Sequence, residues 1–224
     1  MKAVISLGGS VLVGKGFDAD RIKAYAEVIE RLVEEHKIFV VIGGGRVARE
    51  YINTARKLGA NETFCDYIGI EVTRINAMLL ASALKNAPKN IPKDFKEAHE
   101  LSMNHAVVVM GGTFPGHTTD ATAALLAEFV GADILLNATS VNGVYSADPR
   151  KDPNAVRFER LTARELVDIV AAGETKAGSS NVIDLLAAKI IERSGIKTVI
   201  FLGEPENIER AFRGDIKDIG TVVE

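Results

Sequence analysis

The sequence predicts an α/β protein in which a mainly parallel central sheet lies between two layers of helices, a three-layer αβα sandwich. Two observations lead to this prediction. Over the first sixty residues, short apolar runs typical of buried strands alternate with segments of helical periodicity, a pattern that favours parallel strands joined by helices. Three apolar runs also end in glycine pairs or triplets, near positions 8, 43 and 111. Glycine there lets the backbone approach a ligand at the carboxyl end of a parallel sheet.

The elements can be justified in order along the chain. The apolar run 4–7 predicts a strand that ends at Gly8 and Gly9. A helix is predicted over 18–36, because Ile22, Ala26 and Ile29 repeat at helical spacing. The other predicted elements are a strand at 38–42, helices at 46–58 and 68–84, a strand at 106–110, a helix at 118–130, a strand at 134–136, a loop or hairpin at 137–154, a helix starting in a capping box at 162–165, a loop at 177–181, a helix at 182–193, a strand at 198–202 and an edge strand at 220–223.

Size and composition exclude several classes of protein. The 224 residues fit a single α/β domain, or two small lobes around one continuous sheet. A net charge of −3 without a basic run argues against a nucleic-acid partner. Cys65 is the only cysteine, so an intramolecular disulfide and a cysteine zinc site are excluded. No apolar run reaches the roughly 18 residues of a membrane helix and no signal-type segment opens the chain, so we expect no membrane partner and a cytoplasmic location.

The glycine triplet at 43–45 is followed by two arginines on a predicted helix. Helix starts offer free N–H groups and the positive end of the helix dipole, which suit phosphate. Arg49 is one turn in and can add a bidentate contact to a phosphate. The alternative is that Arg46 and Arg49 are both solvated helix residues, but the neighbouring glycine triplet favours the phosphate contact for Arg49. Neither the G-x-x-x-x-G-K-[ST] nor the G-x-G-x-x-G phosphate-binding pattern occurs.

The segment 111–120 is the most specific motif. It places glycines, hydroxyls and one carboxylate between a predicted strand and a helix. Thr118 and Thr119 can donate to a phosphate, and Asp120 can orient a cation. Alternatively, Asp120 is a helix N-cap or first-turn acid. In the polar loop 139–149, Tyr145 beside Asp148 suits a nucleoside, although the loop taken by itself is better explained as a surface hairpin.

Together these motifs resemble those of the amino-acid-kinase superfamily and, within it, the UMP kinases of the archaeal type. The resemblance covers essentially the whole chain. It depends on the segments 7–10, 43–45 with Arg49, 111–120, 139–149 and 176–184. It implies the amino-acid-kinase fold and the transfer of the γ-phosphoryl group of ATP to UMP, giving ADP and UDP, with Mg²⁺ as cofactor. The nearest alternatives are a kinase of the same fold for a carboxylate or a small phosphate, and a nucleotide-binding protein without turnover.

The resemblance also implies roles for individual residues. Asp120, Asp184 and Lys176 are the catalytic candidates, and Mg²⁺ is carried mainly by the ATP phosphates. ATP is assigned to Gly9, Ser10, Gly45, Arg49, Thr139, Tyr145 and Asp148. UMP is assigned to Gly44, Asp66, Phe114, Pro115, Gly116, His117, Thr118, Thr119 and Asp120, with Asp66 on the ribose hydroxyls and Thr119 on the phosphate. In outline, residues 1–130 of this single domain would bind UMP and residues 131–224 would bind ATP.

Two further implications concern charge and assembly. Many relatives carry a lysine on the first strand, aimed at the transferred phosphate, where this chain has Ser6. Because phosphoryl transfer depends on positioned positive charge, another group must replace it, with Lys176, Lys15 or a second metal ion as candidates. The family is commonly a hexamer built as a trimer of dimers, with dimer contacts near the apolar helix after Asp66. A homohexamer is therefore expected, and an ordinary core helix is the alternative for that segment.

Overall fold

The computed structural model describes residues 1–14, 16–147, 149, 151–174 and 182–224. Its strands are β1 (Lys2–Leu7), β2 (Lys37–Ile42), β3 (Val107–Met110), β4 (Ile134–Thr139), β5 (Arg160–Leu161), β6 (Thr198–Leu202) and β7 (Gly220–Val223). Its helices are α1 (Gly9–Val13), α2 (Ala19–Leu32), α3 (Gly45–Lys57), α4 (Glu62–Ala83), α5 (Phe95–Ser102), α6 (Thr119–Val130), α7 (Ala163–Glu174), α8 (Leu185–Ser194) and α9 (Pro205–Phe212). No helix in the described part of the chain is long and apolar enough to cross a membrane.

The strands form one seven-stranded sheet in the order β3-β2-β1-β4-β6-β7-β5. The first five strands in this order are parallel, and β7 runs antiparallel to β6. The predicted α/β class with a mainly parallel sheet is therefore confirmed. Strand β1 lies in the middle of the five parallel strands, between β2 and β4, so the loop that leaves it occupies the centre of the carboxyl edge formed by these strands.

Both faces of the sheet are covered, which explains why the strands are continuous apolar runs. Alternate residues of β1 enter different cores: Ala3, Ile5 and Leu7 pack on the face that carries α2 and the end of α4. Val4 packs on the opposite face, with α6 and α8. Ser6 points to that second face too, and it is the polar exception in an otherwise apolar strand.

Several boundaries differ from the predictions. Residues 220–223 form a strand but not an edge strand, since the two-residue β5 pairs beyond them. Helix α4 starts at Glu62 instead of 68, because the Asn61 side chain caps it by accepting from the N–H of Phe64, 2.9 Å away. Helix α8 starts after Asp184, whose carboxylate caps it. Strand β4 extends through the predicted loop residues 137–139.

One further prediction is confirmed, and another concerns residues that the structure does not describe. The capping box is present: Thr162 Oγ1 accepts from the N–H of Glu165, and the Glu165 carboxylate accepts from the N–H of Thr162. In the predicted loop or hairpin at 137–154, Tyr145 forms an isolated antiparallel bridge with Arg157, which lies three residues beyond the predicted segment. The predicted loop at 177–181 lies outside the described residues. Helices α1, α5 and α9 were not predicted.

Candidate active site

A cleft of about 510 Å³ lies at the carboxyl ends of β1, β2 and β4, where the glycine-containing turns meet the starts of α3 and α6. Its size is within the range typical of small-molecule sites. It brings together twelve of the residues to which the sequence assigned roles: Gly9, Ser10, Gly44, Gly45, Arg49, Asp66, Gly116, His117, Thr118, Thr119, Asp120 and Thr139. Residues from distant parts of the chain therefore share one cavity.

Other predicted site residues do not line this cleft. Phe114 and Pro115 precede the part of the loop that does, and Phe114 is 63% exposed. The backbone of Tyr145 forms an isolated bridge with that of Arg157. Asp184 stands behind Thr118, as described below. Asp148, Lys176 and Lys15 lie outside the described residues.

The first two glycine turns touch each other through their backbones. A Cβ atom at Gly9 would lie 2.3 Å from the carbonyl oxygen of Gly43, a distance that no side chain can adopt. Gly45 has a φ of 64°, in the left-handed region that favours glycine. Helix α3 begins here without a side-chain cap, so its first N–H groups and the positive end of its dipole face the cleft. This is a backbone arrangement suited to phosphate.

The two arginines at the start of α3 have different environments. The Arg46 guanidinium pairs with Glu50 at 2.6 Å on the exposed side of the helix and does not line the cleft. The Arg49 guanidinium donates to Ser10 Oγ at 3.3 Å and does line it. Among the lysines and arginines that the structure describes, Arg49 is the one that lines the cleft. It can therefore offer planar, paired donors to a phosphate held over the glycine turns.

A hydrogen bond between Asp66 and Gly116 joins two elements at the far wall of the cleft. The carboxylate of Asp66, on α4, accepts from the N–H of Gly116 at 2.9 Å. Gly116 has a φ of 83°, so glycine is favoured at this turn as well. The bond fixes the loop before α6 against α4. It leaves the Asp66 carboxylate with acceptor capacity for a further donor, since an ionised carboxylate has about four acceptor sites.

Asp120 lies in the first turn of α6 but does not cap it. The cap is Thr118, whose Oγ1 accepts from the N–H of Ala121 at 3.0 Å. The Asp120 carboxylate instead accepts from Ser6 Oγ on β1, at 2.7 Å. Burial raises the pKa of Asp120 to about 6, against the lowering effect of the Ser6 hydrogen bond, and the neighbouring Asp184 raises this pKa further. The N-cap alternative for Asp120 is thus wrong, while its place in the first turn is confirmed.

Asp184 joins the starts of two helices. One of its oxygens accepts from the N–H of Ala187 at 3.0 Å and caps α8. The other accepts from the hydroxyl of Thr118. Because Thr118 in turn caps α6, the two helix N-termini are held side by side behind the cleft. Asp184 therefore positions Thr118, and its charge reaches Asp120.

Residues 1–202 match the model of the Amino acid kinase family. The chain belongs to this family. A uridylate kinase from Archaeoglobus fulgidus is 60% identical over 223 residues, covering 100% of both chains. A second, from Methanocaldococcus jannaschii, is 48% identical over 227 residues, again covering 100% of both.

Two solved structures resemble this chain. The crystal structure of the uridylate kinase from Archaeoglobus fulgidus superposes with a TM-score of 0.92 at 58% identity, covering 100% of both chains. A UMP kinase from Bacillus anthracis superposes with a TM-score of 0.82 over 100% of this chain and 95% of that one. At 23% identity, the second comparison shows the shared fold alone.

The contacts of four polar residues around the cleft were not predicted from the sequence. Thr73 and Asn76, both buried on α4, brace two of the glycine turns: Thr73 Oγ1 accepts from the N–H of Gly112 at 2.7 Å, and Asn76 Nδ2 donates to the carbonyl of Gly43 at 2.9 Å. The sequence did contain a signal for these two residues, because they are polar positions three apart within an apolar helical stretch. Ser6 and Asn137, on neighbouring strands, are the other two.

In the described ranges, no group of three or more His, Cys, Asp or Glu side chains is arranged to hold a metal ion. The carboxylates of Asp120 and Asp184 are the two acids near the start of α6. Oxygen donors of this kind fit Mg²⁺, which usually binds one or two carboxylates together with substrate phosphates and water.

Proposed function

We propose that this protein is a uridylate kinase, which transfers the γ-phosphoryl group of ATP to UMP and gives ADP and UDP. The observation that carries this proposal is the 60% identity, over the full length of both chains, with the uridylate kinase of Archaeoglobus fulgidus. The cleft supports it independently. The cleft contains two glycine-rich turns, the N-terminus of α3 without a side-chain cap, one arginine and several hydroxyl donors. These groups suit the binding of phosphates.

In this proposal the two substrates approach the centre of the sheet from opposite sides. UMP occupies the side formed by Asp66 and the loop before α6, within residues 1–130. The nucleoside of ATP lies on the side of residues 131–224, and its phosphates reach over β1 to Gly9, Gly45 and Arg49. The central position of β1 supports this scheme, since its loop touches both the α3 turn and the end of β4.

The reaction itself needs positioning more than covalent chemistry. An oxygen of the UMP phosphate forms the new bond to the γ-phosphorus of ATP, while the bond from that phosphorus to the β–γ bridging oxygen breaks and its electron pair leaves with ADP. Helix N-termini, Arg49 and Thr119 would hold the phosphates in line. Mg²⁺ on the ATP phosphates would neutralise the developing charge, with the Asp120 carboxylate, supported by Asp184, as its protein partner.

Asp66 is the candidate for the ribose of UMP. Its carboxylate is already fixed by the N–H of Gly116 and retains further acceptor capacity. A carboxylate held in this way suits the vicinal hydroxyls of a ribose. The loop that bears Gly116 leads directly to Thr118 and Thr119. One continuous wall of the cleft would therefore bind both the ribose and the phosphate of UMP.

We further propose that the protein is a homohexamer, assembled as a trimer of dimers. It would act in the cytoplasm, in pyrimidine nucleotide synthesis. Apolar side chains on the outer side of α4 support a subunit contact. Phe64, Tyr67, Ile75 and Met78 are each about half exposed, and their spacing places them along one side of the helix. Exposed apolar surface of this extent is typical of an interface between subunits.

A coupled assay of ADP formation tests the proposal. The purified protein is supplied with ATP, Mg²⁺ and one acceptor at a time: UMP, CMP, glutamate, carbamate or isopentenyl phosphate. UMP should give the highest kcat/KM. A higher value for a carboxylate or for isopentenyl phosphate would assign the protein another reaction of the same fold, and an absence of turnover with every acceptor would leave it a nucleotide-binding protein.

A further inference from the structure

The strand residue Asn137 has a buried side-chain donor with no partner. Only 3% of Asn137 is exposed, and its Nδ2 atom makes no hydrogen bond. In the part of the chain that the structure describes, two other buried side-chain nitrogens share this property, on His36 and Arg74, and neither of these residues lines the cleft. Asn137 does line it. Buried polar groups are almost always satisfied, so an orphan donor on a residue that lines a ligand cavity points to a ligand as its partner.

The surroundings of Asn137 locate that partner. In the parallel pairing of β1 and β4, Asn137 is directly opposite Ser6, so the two side chains leave the same face of the sheet. The hydroxyl of Ser6 donates a hydrogen bond to the Asp120 carboxylate. The donor of Asn137 therefore stands beside the Ser6–Asp120 pair, at the centre of the sheet edge and between the two predicted substrate sides.

We propose that the side-chain amide of Asn137 donates a hydrogen bond to the phosphoryl group in transfer and is a catalytic residue of this enzyme. This inference depends on the proposed kinase function. Ser6 occupies the first-strand position at which many relatives place a lysine, and it is already engaged by Asp120. Asn137 supplies a donor from the adjacent strand instead. A donor aimed at charge that develops in the transition state lowers the barrier to reaction.

The amide has one advantage over a lysine in this position. A lysine beside Asp120 would form an ion pair with its carboxylate, and its charge would be partly used there. A neutral amide leaves the Asp120 carboxylate available for the cation that accompanies ATP. The N–H donor and the acid thus act on different partners, the phosphoryl oxygen and the cation.

The test compares the wild type with Asn137→Leu and Asn137→Ala. Both variants remove the donor without adding a charge, and the first is similar in size to asparagine. We expect kcat to fall about 10- to 100-fold in each, with a KM for UMP and for ATP within about threefold of the wild type, as for the loss of one preorganised donor. The melting temperature of Asn137→Leu should stay equal or rise, because the free protein loses an unsatisfied buried donor.

Asn76→Leu is the matched contrast, since its amide is bonded to the carbonyl of Gly43. That variant should melt at a lower temperature. A fall in both the melting temperature and kcat of Asn137→Leu, parallel to that of Asn76→Leu, would make Asn137 a structural residue and overturn the inference.

A binding measurement gives a second readout. The affinity for Mg·ADP with aluminium fluoride and UMP, which imitates the transferred phosphoryl group, should fall about 10-fold or more in Asn137→Leu, while the affinity for Mg·ADP alone is unchanged. Equal affinities of the variant and the wild type for the fluoride complex would refute the role. If the wild type does not phosphorylate UMP, the proposed function fails; an active wild type with undiminished variants refutes only the inference about Asn137.

Discussion

Asp120→Asn is the substitution that best separates the catalytic from the structural interpretation of the α6 N-terminus. The asparagine keeps the size of the side chain and can still accept from Ser6, whose hydroxyl lies 2.7 Å from the carboxylate. Thr118, not Asp120, caps the helix, so the cap remains intact. The change therefore removes one negative charge and little else.

The effect on stability follows from the pKa. Burial raises the pKa of Asp120 from 3.8 to about 6, a difference that corresponds to about 3 kcal/mol. Since Asp120 keeps some exposure to solvent, part of this free energy is screened, and first-turn acids are favoured by the helix dipole. At pH 8 we therefore expect Asp120→Asn to raise the free energy of unfolding by about 1–2 kcal/mol, or the melting temperature by about 2–8 °C.

The sign of the pH dependence is fixed by the direction of the pKa change. A carboxyl whose pKa is raised in the folded state stabilises the fold at low pH, and this contribution is lost as the pH rises through about 6. The stability difference between Asp120→Asn and the wild type should therefore be largest above pH 7 and should shrink towards pH 5. In the same range, the kcat of the wild type should decline as the carboxylate becomes protonated.

The effect on activity has the opposite sign. If the Asp120 carboxylate orients the cation around the transferred phosphoryl group, kcat should fall on the order of 100-fold, as for the loss of one preorganised electrostatic group. The assays are steady-state kinetics of ADP formation and thermal unfolding on the same preparations, at pH 5 and pH 8. Asp20→Asn, in the exposed first turn of α2, is the control and should leave kcat unchanged. A kcat near that of the wild type would refute the catalytic role, and a melting temperature that falls at pH 8 would refute the electrostatic reasoning.

Three further outcomes are expected. Excess EDTA should abolish ADP formation and added Mg²⁺ should restore it, because the phosphates carry more negative charge than the described cleft residues offset; full activity in EDTA would contradict this. Asp66→Ala should raise the KM for UMP at least about tenfold and leave the KM for ATP unchanged, the scale of a charged hydrogen bond; the reverse pattern would exchange the two substrate sides. Met78→Glu should lower the molar mass measured by light scattering, since it places a charge on the exposed apolar side of α4; an unchanged mass would move the subunit contact elsewhere.

The sheet was largely predictable from the sequence because its strands are buried on both faces. Strands β1, β2 and β3 are continuous apolar runs that end at glycine, and such runs admit few other interpretations. Strand β5 was not predictable, since two residues carry no periodicity. Helix α1 was missed because the segment Ser-Val-Leu-Val continues the apolar pattern of a strand. Helix α9, with Pro205 at its start and Ile208 and Ala211 buried, did carry a signal.

The site was predictable in composition but not in its contacts. Glycine turns, Arg49 and the 111–120 segment could be recognised because their residue types suit phosphate. Ser6 and Asp120 are 114 residues apart, and only the fold brings them to 2.7 Å. In the same way, the bond from Asn76 to Gly43 depends on how α4 packs against the turn after β2. Local spacing cannot encode these contacts, because they depend on the register and packing of separate elements.

The charges of the cleft decide which chemistry its acids can perform. Among the described lining residues, Arg49 contributes one positive charge, and Asp66 and Asp120 contribute two negative ones, so the fixed side-chain charge is +1 − 2 = −1. The helix starts of α3 and α6 add about half a positive charge each, which brings the sum only to about zero. A phosphate monoester with a second pKa of about 6 is already largely ionised at pH 7, so its oxygen needs no general base. Asp120 therefore has no proton to remove from UMP, and its charge is useful only towards a cation that accompanies ATP.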